Sequence, residues 1–185
     1  MKAQHLVLRL AREGDIEAVQ ALQRNSLGAL TQGFYSPRQI AAAVAYVPLT
    51  DAALIAEGHF FVLEEPGFGL VATGGWSLAR PTYEAFRSAV QDGSAEATAK
   101  VRHIFVHPER ARRGLGSRVM RSVEADAAAA GQPRLAMAAT LSGVPLYRKI
   151  GYAETGDAGI TLPGGVHFPL VAMAKALKPT VSLAA

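Results

Sequence analysis

Between Lys100 and Arg121 the chain carries seven basic residues, Lys100, Arg102, Arg110, Arg112, Arg113, Arg118 and Arg121, against one acid, Glu109. That is +6 in a chain of net charge +4, so the remainder sums to −2 and the basicity is local. Within the segment, Val101-Arg102-His103-Ile104-Phe105-Val106 reads as a strand and runs into Arg112-Arg113-Gly114-Leu115-Gly116-Ser117-Arg118. A strand followed by a glycine-containing loop and a helix N-terminus presents main-chain N–H groups and the positive end of the helix dipole with no side chain in the way. A polyphosphate needs these features, and Arg112, Arg113 and Arg118 add charge-assisted contacts. Two common phosphate motifs fail on inspection. There is no G-x-x-x-x-G-K-[ST], and the third glycine of a dinucleotide fingerprint would fall on Val119.

The elements that must position this loop follow from apolar spacing. Leu6 to Leu10 alternates like a strand, and Asp15 opens a helix with Ile16, Ala18, Val19 and Leu22 on one face. Ser36-Pro37-Arg38-Gln39 is a capping box with proline at the first helical position, and Pro48 stops that helix. A short helical turn is expected over Asp51 to Ala56. His59 to Leu63 and Leu70 to Ser77 then form a hairpin around Glu65-Pro66-Gly67-Phe68, with Gly74-Gly75 as a bulge beside a packed Trp76. Leu78 to Ala99 reads as a long loop of mixed charge, including Arg80, Glu84, Arg87, Asp92 and Glu96. After the loop at Gly114, Leu115, Val119, Val123 and Ala127 line one helix face and Gly131 ends it. Gln132 to Ala138 is a strand, and Ser142 caps a short helix carrying Leu146, Tyr147 and Ile150 that Gly151 terminates. Two last strands, Tyr152 to Leu162 and Val166 to Leu177, flank Pro163-Gly164-Gly165 and offer an edge for a homodimer.

Composition narrows the classes. With 185 residues, half of them hydrophobic, one sizeable core and a single domain over residues 1–185 are expected. The absence of cysteine excludes disulfides, thiolate zinc sites and a cysteine nucleophile, and agrees with a cytoplasmic protein. No apolar run approaches the roughly 20 residues of a spanning helix, so no membrane partner is expected. His59, His107 and His167 are too dispersed for a metal site. The basic segment lacks interleaved stacking aromatics, which argues against nucleic acid as a partner.

In these residues and their order the chain resembles the GNAT family of acetyl-CoA-dependent N-acetyltransferases. The family signature, Q/R-x-x-G-x-G/A after a strand ending in Val-x-Pro, matches Val106-His107-Pro108 followed by Ala111-Arg112-Arg113-Gly114-Leu115-Gly116, with Ala111 in place of the usual Gln or Arg. The aromatic-containing short helix before Gly-Phe or Gly-Tyr matches Leu146-Tyr147-Arg148-Lys149-Ile150-Gly151-Tyr152. The resemblance implies a mixed α/β fold, with a mostly antiparallel sheet of about seven strands splayed between strands 4 and 5 and helices on both faces. It implies acetyl-CoA as acyl donor without a metal. The donor would be bound along Phe105 and Val106 and by Arg112, Arg113, Gly114, Leu115, Gly116, Ser117 and Arg118, and an oxyanion would be met by a main-chain N–H close to Phe105. Tyr147 takes the family's general-acid position. The glutamate common on the fourth strand is absent here, which leaves His103, Glu84, His167 or a water chain as the base. The expected activity is acetyl transfer to a primary amine of a small molecule. A protein N-acetyltransferase or a non-catalytic acyl-CoA-binding module are the alternatives.

Overall fold

The computed structural model describes residues 5–79 and 98–178. Arg80, Glu84, Arg87, Asp92 and Glu96 of the expected long loop therefore lie outside the described residues.

Strand β1 (Val7–Leu10) leads into helix α1 (Ile16–Leu30), then α2 (Pro37–Tyr46) and the short α3 (Ala52–Ala56). The capping box at Ser36 forms as its spacing predicts: Ser36 Oγ accepts from the Gln39 N–H, and Gln39 Oε1 accepts from the Ser36 N–H. Strands β2 (Phe60–Glu65) and β3 (Gly69–Ser77) make the hairpin, followed by β4 (Ala99–Val106), α4 (Leu115–Ala129), β5 (Arg134–Thr140) and α5 (Val144–Lys149). Four short strands close the chain: β6 (Ala153–Asp157), β7 (Ile160–Leu162), β8 (Val166–Phe168) and β9 (Leu170–Ala176).

Seven of these strands form a mixed sheet in the order β1-β2-β3-β4-β5-β9-β6, antiparallel throughout except between β4 and β5. Helices cover both faces. On β2, Phe60 and Val62 pack with Val19 of α1, whereas Phe61 and Leu63 join Val119, Met120 and Val123 of α4, as the alternation of a strand requires.

Two details differ from the sequence reading. The last hairpin is broken in two, because β6 pairs with β9 in the main sheet while β7 and β8 pair only with each other. Pro169 stands between β8 and β9 and has no N–H for a ladder; its carbonyl accepts the Tyr35 hydroxyl at 2.8 Å instead. The small hairpin thereby folds onto α1 and α2, where Ile160, Leu162, Val166 and Phe168 bury against Leu27, Tyr35 and Ala43. The second detail is the cap of α5. Gly143, not Ser142, holds the cap position, because a turn from Thr140 O to Gly143 N–H at 2.8 Å places Ser142 inside the turn, with its hydroxyl 3.2 Å from Thr140 Oγ1.

Candidate active site

The strands β4 and β5 separate almost at once. They pair only at Ala99 with Leu135 and Lys100 with Ala136, while β5 stays fully paired to β9 on its other side. A cavity of about 530 Å³ occupies the opening, bounded by β4, β5, the N-terminus of α4, and α5.

The bulge expected at Gly74-Gly75 of β3 lies instead on the facing strand β4, at residues that line the cavity. Thr73 faces Phe105 and Gly75 faces Arg102, so the single residue Gly74 of β3 stands opposite both His103 and Ile104. His103 takes a positive φ of 51°, a left-handed conformation that a non-glycine residue adopts only when its surroundings hold it. Two bonds do so: the Thr73 hydroxyl donates to the His103 carbonyl at 3.1 Å, and Thr50 Oγ1 lies 2.7 Å from the ring Nδ1. Beyond the bulge the His107 N–H donates to Val71 O at 2.8 Å. Ladder alternation then directs the main-chain groups of Phe105 toward β3, and those of Ile104 and Val106 toward the edge that β5 leaves unpaired.

At the α4 end, Gly114 has φ 76° and serves as the N-cap without a side chain. The first intrahelical bond runs from Arg118 N–H to Gly114 O, so the N–H groups of Leu115, Gly116 and Ser117 have no partner within the helix. A Cβ on Gly116 would sit 2.9 Å from Leu146 Cδ2, so glycine is what lets α4 and α5 approach here.

The cavity brings together most of the residues expected at the site. Phe105, Val106, Arg112, Gly114, Leu115, Gly116, Ser117, His103 and Tyr147 all line the cavity. Arg113 and Arg118 do not. Arg118 donates to the Leu6 carbonyl at 3.0 Å, which ties α4 to the start of the chain, and Arg113 lies near Glu65. Arg110 is also engaged: it grips Glu65 at 2.7 and 3.2 Å and covers the Phe68 ring at 3.7 Å. Within the run, Arg110 and Arg118 therefore hold the fold, and Arg112 lines the cavity beside the cradle. Lys149, at the end of α5, also lines the cavity, and the sequence reading missed it. Its place just before the Gly151 terminator was the available signal.

Tyr147 is buried, with Tyr152 edge-on at 6.0 Å. Burial raises the pKa of its phenol above the ordinary value, so the group stays protonated. Gly143 makes room for it, since a Cβ there would lie 2.8 Å from Tyr147 Cε2.

His103 belongs to a buried polar network that sequence reasoning also missed, although Gln23 on the apolar stripe of α1 marked it. The Thr50 N–H donates to Gln23 Oε1 at 3.1 Å, which orients the amide so that Gln23 Nε2 donates to Thr50 Oγ1 at 2.7 Å. Gln20 Nε2 also donates, to the Thr50 carbonyl at 2.9 Å. Thr50 Oγ1 also has a proton to place, and His103 Nδ1 is the acceptor the described contacts offer it; in the tautomer that satisfies both groups, the ring proton is on Nε2. The imidazole is then a donor with no lone pair left over, a physical reason against the basic role expected of it. Burial, followed by the charge of Arg102, pushes its pKa down to about 3. Of the other bases considered, His167 is exposed and does not line the cavity.

A pH dependence of stability follows. Unfolded His103 takes up a proton near pH 6.5 that the folded ring refuses until about pH 3. Its contribution is therefore fully present above pH 6.5 and is lost as the pH falls through that window, by at most about 1.4 kcal/mol per pH unit. Urea unfolding at pH 7 and pH 5 should show a smaller difference for His103→Asn than for the parent. An equal or larger difference would place the acid sensitivity elsewhere.

A family model described as an acetyltransferase (GNAT) domain matches residues 56–154, more than half of the chain. The chain belongs to the GNAT acetyltransferase family. No match is found among curated proteins. Solved structures with the same fold include a GCN5-related N-acetyltransferase from Rhodopseudomonas palustris, 20% identical with a TM-score of 0.71, the match covering 96% of this chain and 99% of that one. The Salmonella typhimurium protein yncA, determined with its cofactor acetyl-CoA, is 16% identical with a TM-score of 0.63, covering 96% and 97% of the two chains. A ribosomal-protein-alanine N-acetyltransferase from Brucella melitensis is 18% identical with a TM-score of 0.65, covering 92% and 99%. At such identities the likeness is one of fold. The GNAT family match runs from the last residue of α3 into the start of β6 and so includes the bulge, the cradle and Tyr147.

Proposed function

We propose that this GNAT chain works as one domain over residues 1–185, binds acetyl-CoA in the β4–β5 cleft, and passes the acetyl group directly to a primary amine of a small molecule. The observation that carries this reading is the parallel β4–β5 ladder of only two residue pairs, which leaves main-chain groups of Ile104 and Val106 facing an open slot that ends at the α4 N-terminus. The residues fit the donor. The N–H groups of Leu115, Gly116 and Ser117 and the dipole of a 15-residue helix suit a diphosphate, Arg112 adds a cation just before that helix, and Lys149 is a second cation of the lining. The yncA structure, which holds acetyl-CoA on this fold, supports the same reading.

Acetyl-CoA would supply a thioester to be attacked by the amine. The chain's own part is electrostatic and positional. A main-chain N–H at Ile104 or Val106 stabilises negative charge developing on the carbonyl oxygen, and the Tyr147 hydroxyl gives its proton to the departing sulfur. A phenol held protonated by burial is a poor phenolate. Its proton is therefore best replaced at once by the one the amine nitrogen sheds, so that Tyr147 relays rather than ionises.

Two measurements test the reading. Acetyl-CoA binding by calorimetry should weaken about tenfold or more in Arg112→Glu, the loss of one charge-assisted contact. A screen of amines should show acetyl-CoA-dependent release of free thiol. Binding without thiol release on any amine would favour a non-catalytic acyl-CoA-binding module.

A further inference from the structure

The cavity has a second end, away from the cradle, and its chemistry is different. Leu27 and Leu30 of α1, Phe34 after it, Phe105 of β4, Ile160 of β7 and Phe168 of β8 line that end. Phe34 is 45% exposed. Among the described residues the lining holds no carboxylate, and its only full charges, Arg112 and Lys149, are on α4's approach and α5. The polar side chains that α1, the residue after it and β4 contribute to the described lining are Ser26, Thr31 and His103. Thr31 spends its hydroxyl on Leu27 O at 2.5 Å, and His103 is a neutral donor by the network above. A cation seated against these described residues would lose its hydration without gaining a counter-charge from them, a cost of several kcal/mol.

We infer that the acceptor is an amine with an apolar, aromatic-sized body that enters the chamber uncharged, as an arylamine or hydrazide does at neutral pH. The inference rests on the acetyl-transfer reading and adds the substrate class. The proton count agrees with it. When a neutral R–NH2 attacks, the N–C bond forms, the C–S bond breaks, and the one proton leaving nitrogen equals the one the thiolate must gain. Among the described residues, Tyr147 can conduct that exchange by itself. An ammonium acceptor would have to shed one proton more, and the described lining offers no base to take it.

The test is a panel at pH 7 with acetyl-CoA: p-toluidine and benzoic hydrazide as neutral apolar acceptors, benzylamine as a cationic one of like size, and spermidine and an alanine-led peptide as polar cations. The neutral pair should show kcat/KM at least about tenfold above spermidine and the peptide. For benzylamine, kcat/KM should rise about tenfold per pH unit below the pKa of its own amine, while that for p-toluidine stays flat between pH 6 and 9. Leu30→Glu, at a half-exposed position of the lining, should lower kcat/KM for p-toluidine at least tenfold and leave acetyl-CoA binding within about twofold. Preference for spermidine or the peptide, or an unchanged Leu30→Glu, would overturn the inference while leaving acetyl transfer standing. No thiol release with any amine would overturn acetyl transfer and the inference with it.

Discussion

Tyr147→Phe is expected to lower kcat for amine acetylation about a hundredfold while acetyl-CoA binding stays within about twofold, the size and selectivity of a lost proton donor. The substitution removes one oxygen and keeps the ring. The edge-on contact with Tyr152, the burial and the fit against Gly143 are apolar, so they survive. No described residue hydrogen-bonds the hydroxyl, so its loss orphans no partner and should leave the fold as stable or slightly more so. This separates a chemical role from a structural one. A core tyrosine replaced by phenylalanine would alter melting and not turnover; a proton relay would alter turnover and not melting. Steady-state kinetics with thermal melting distinguish the two, and unchanged kcat would remove Tyr147 from the mechanism.

The position of that hydroxyl shows how much of the site was legible in the sequence. Local signals carried well: the capping box at Ser36, the glycine at 114 before an apolar helical stripe, and the terminators Gly131 and Gly151 each depend on a few neighbouring residues. With them came the order of elements and the cradle. What the sequence hid was partnership at long range. Arg118 looks like a phosphate ligand from its spacing, yet it is claimed by Leu6, 112 residues away, and Arg110 is claimed by Glu65. His103 looks like a base, because nothing near it in sequence announces Thr50 and Gln23. A side chain's neighbours in space decide whether it is a ligand, a strut or a donor, and those neighbours come from other elements. The break between β8 and β9 belongs with the legible kind in principle, since Pro169 cannot join a ladder; the alternating pattern on either side of it reads as one continuous strand only if that residue is ignored.

Gly75→Val should be the most destabilising of the single substitutions considered, by about 3 kcal/mol or more, lowering the melting temperature by about 6–12 °C. The reason is the nature of the obstacle. A Cβ at Gly75 would lie 2.5 Å from the His59 carbonyl oxygen and 2.8 Å from Phe60 Cα, and backbone on a paired strand cannot rotate away as a side chain does. Relief requires β2 and β3 to part where Phe60 faces Gly75. On its other side Gly75 pairs with Arg102, the residue just before the bulge, so the strain would pass to His103 and the open edge of β4. Acetyl transfer should therefore fall in Gly75→Val even below its melting temperature. Gly28→Ala is the matched control. It lies within α1, where an added Cβ would meet nothing within 4 Å, and should gain about 0.5–1 kcal/mol from helix propensity. A Gly75→Val protein that melts within about 2 °C of the parent would show that β2 and β3 yield readily at this point, and the shape of the bulge would then have to be held by Thr73 and Thr50 alone.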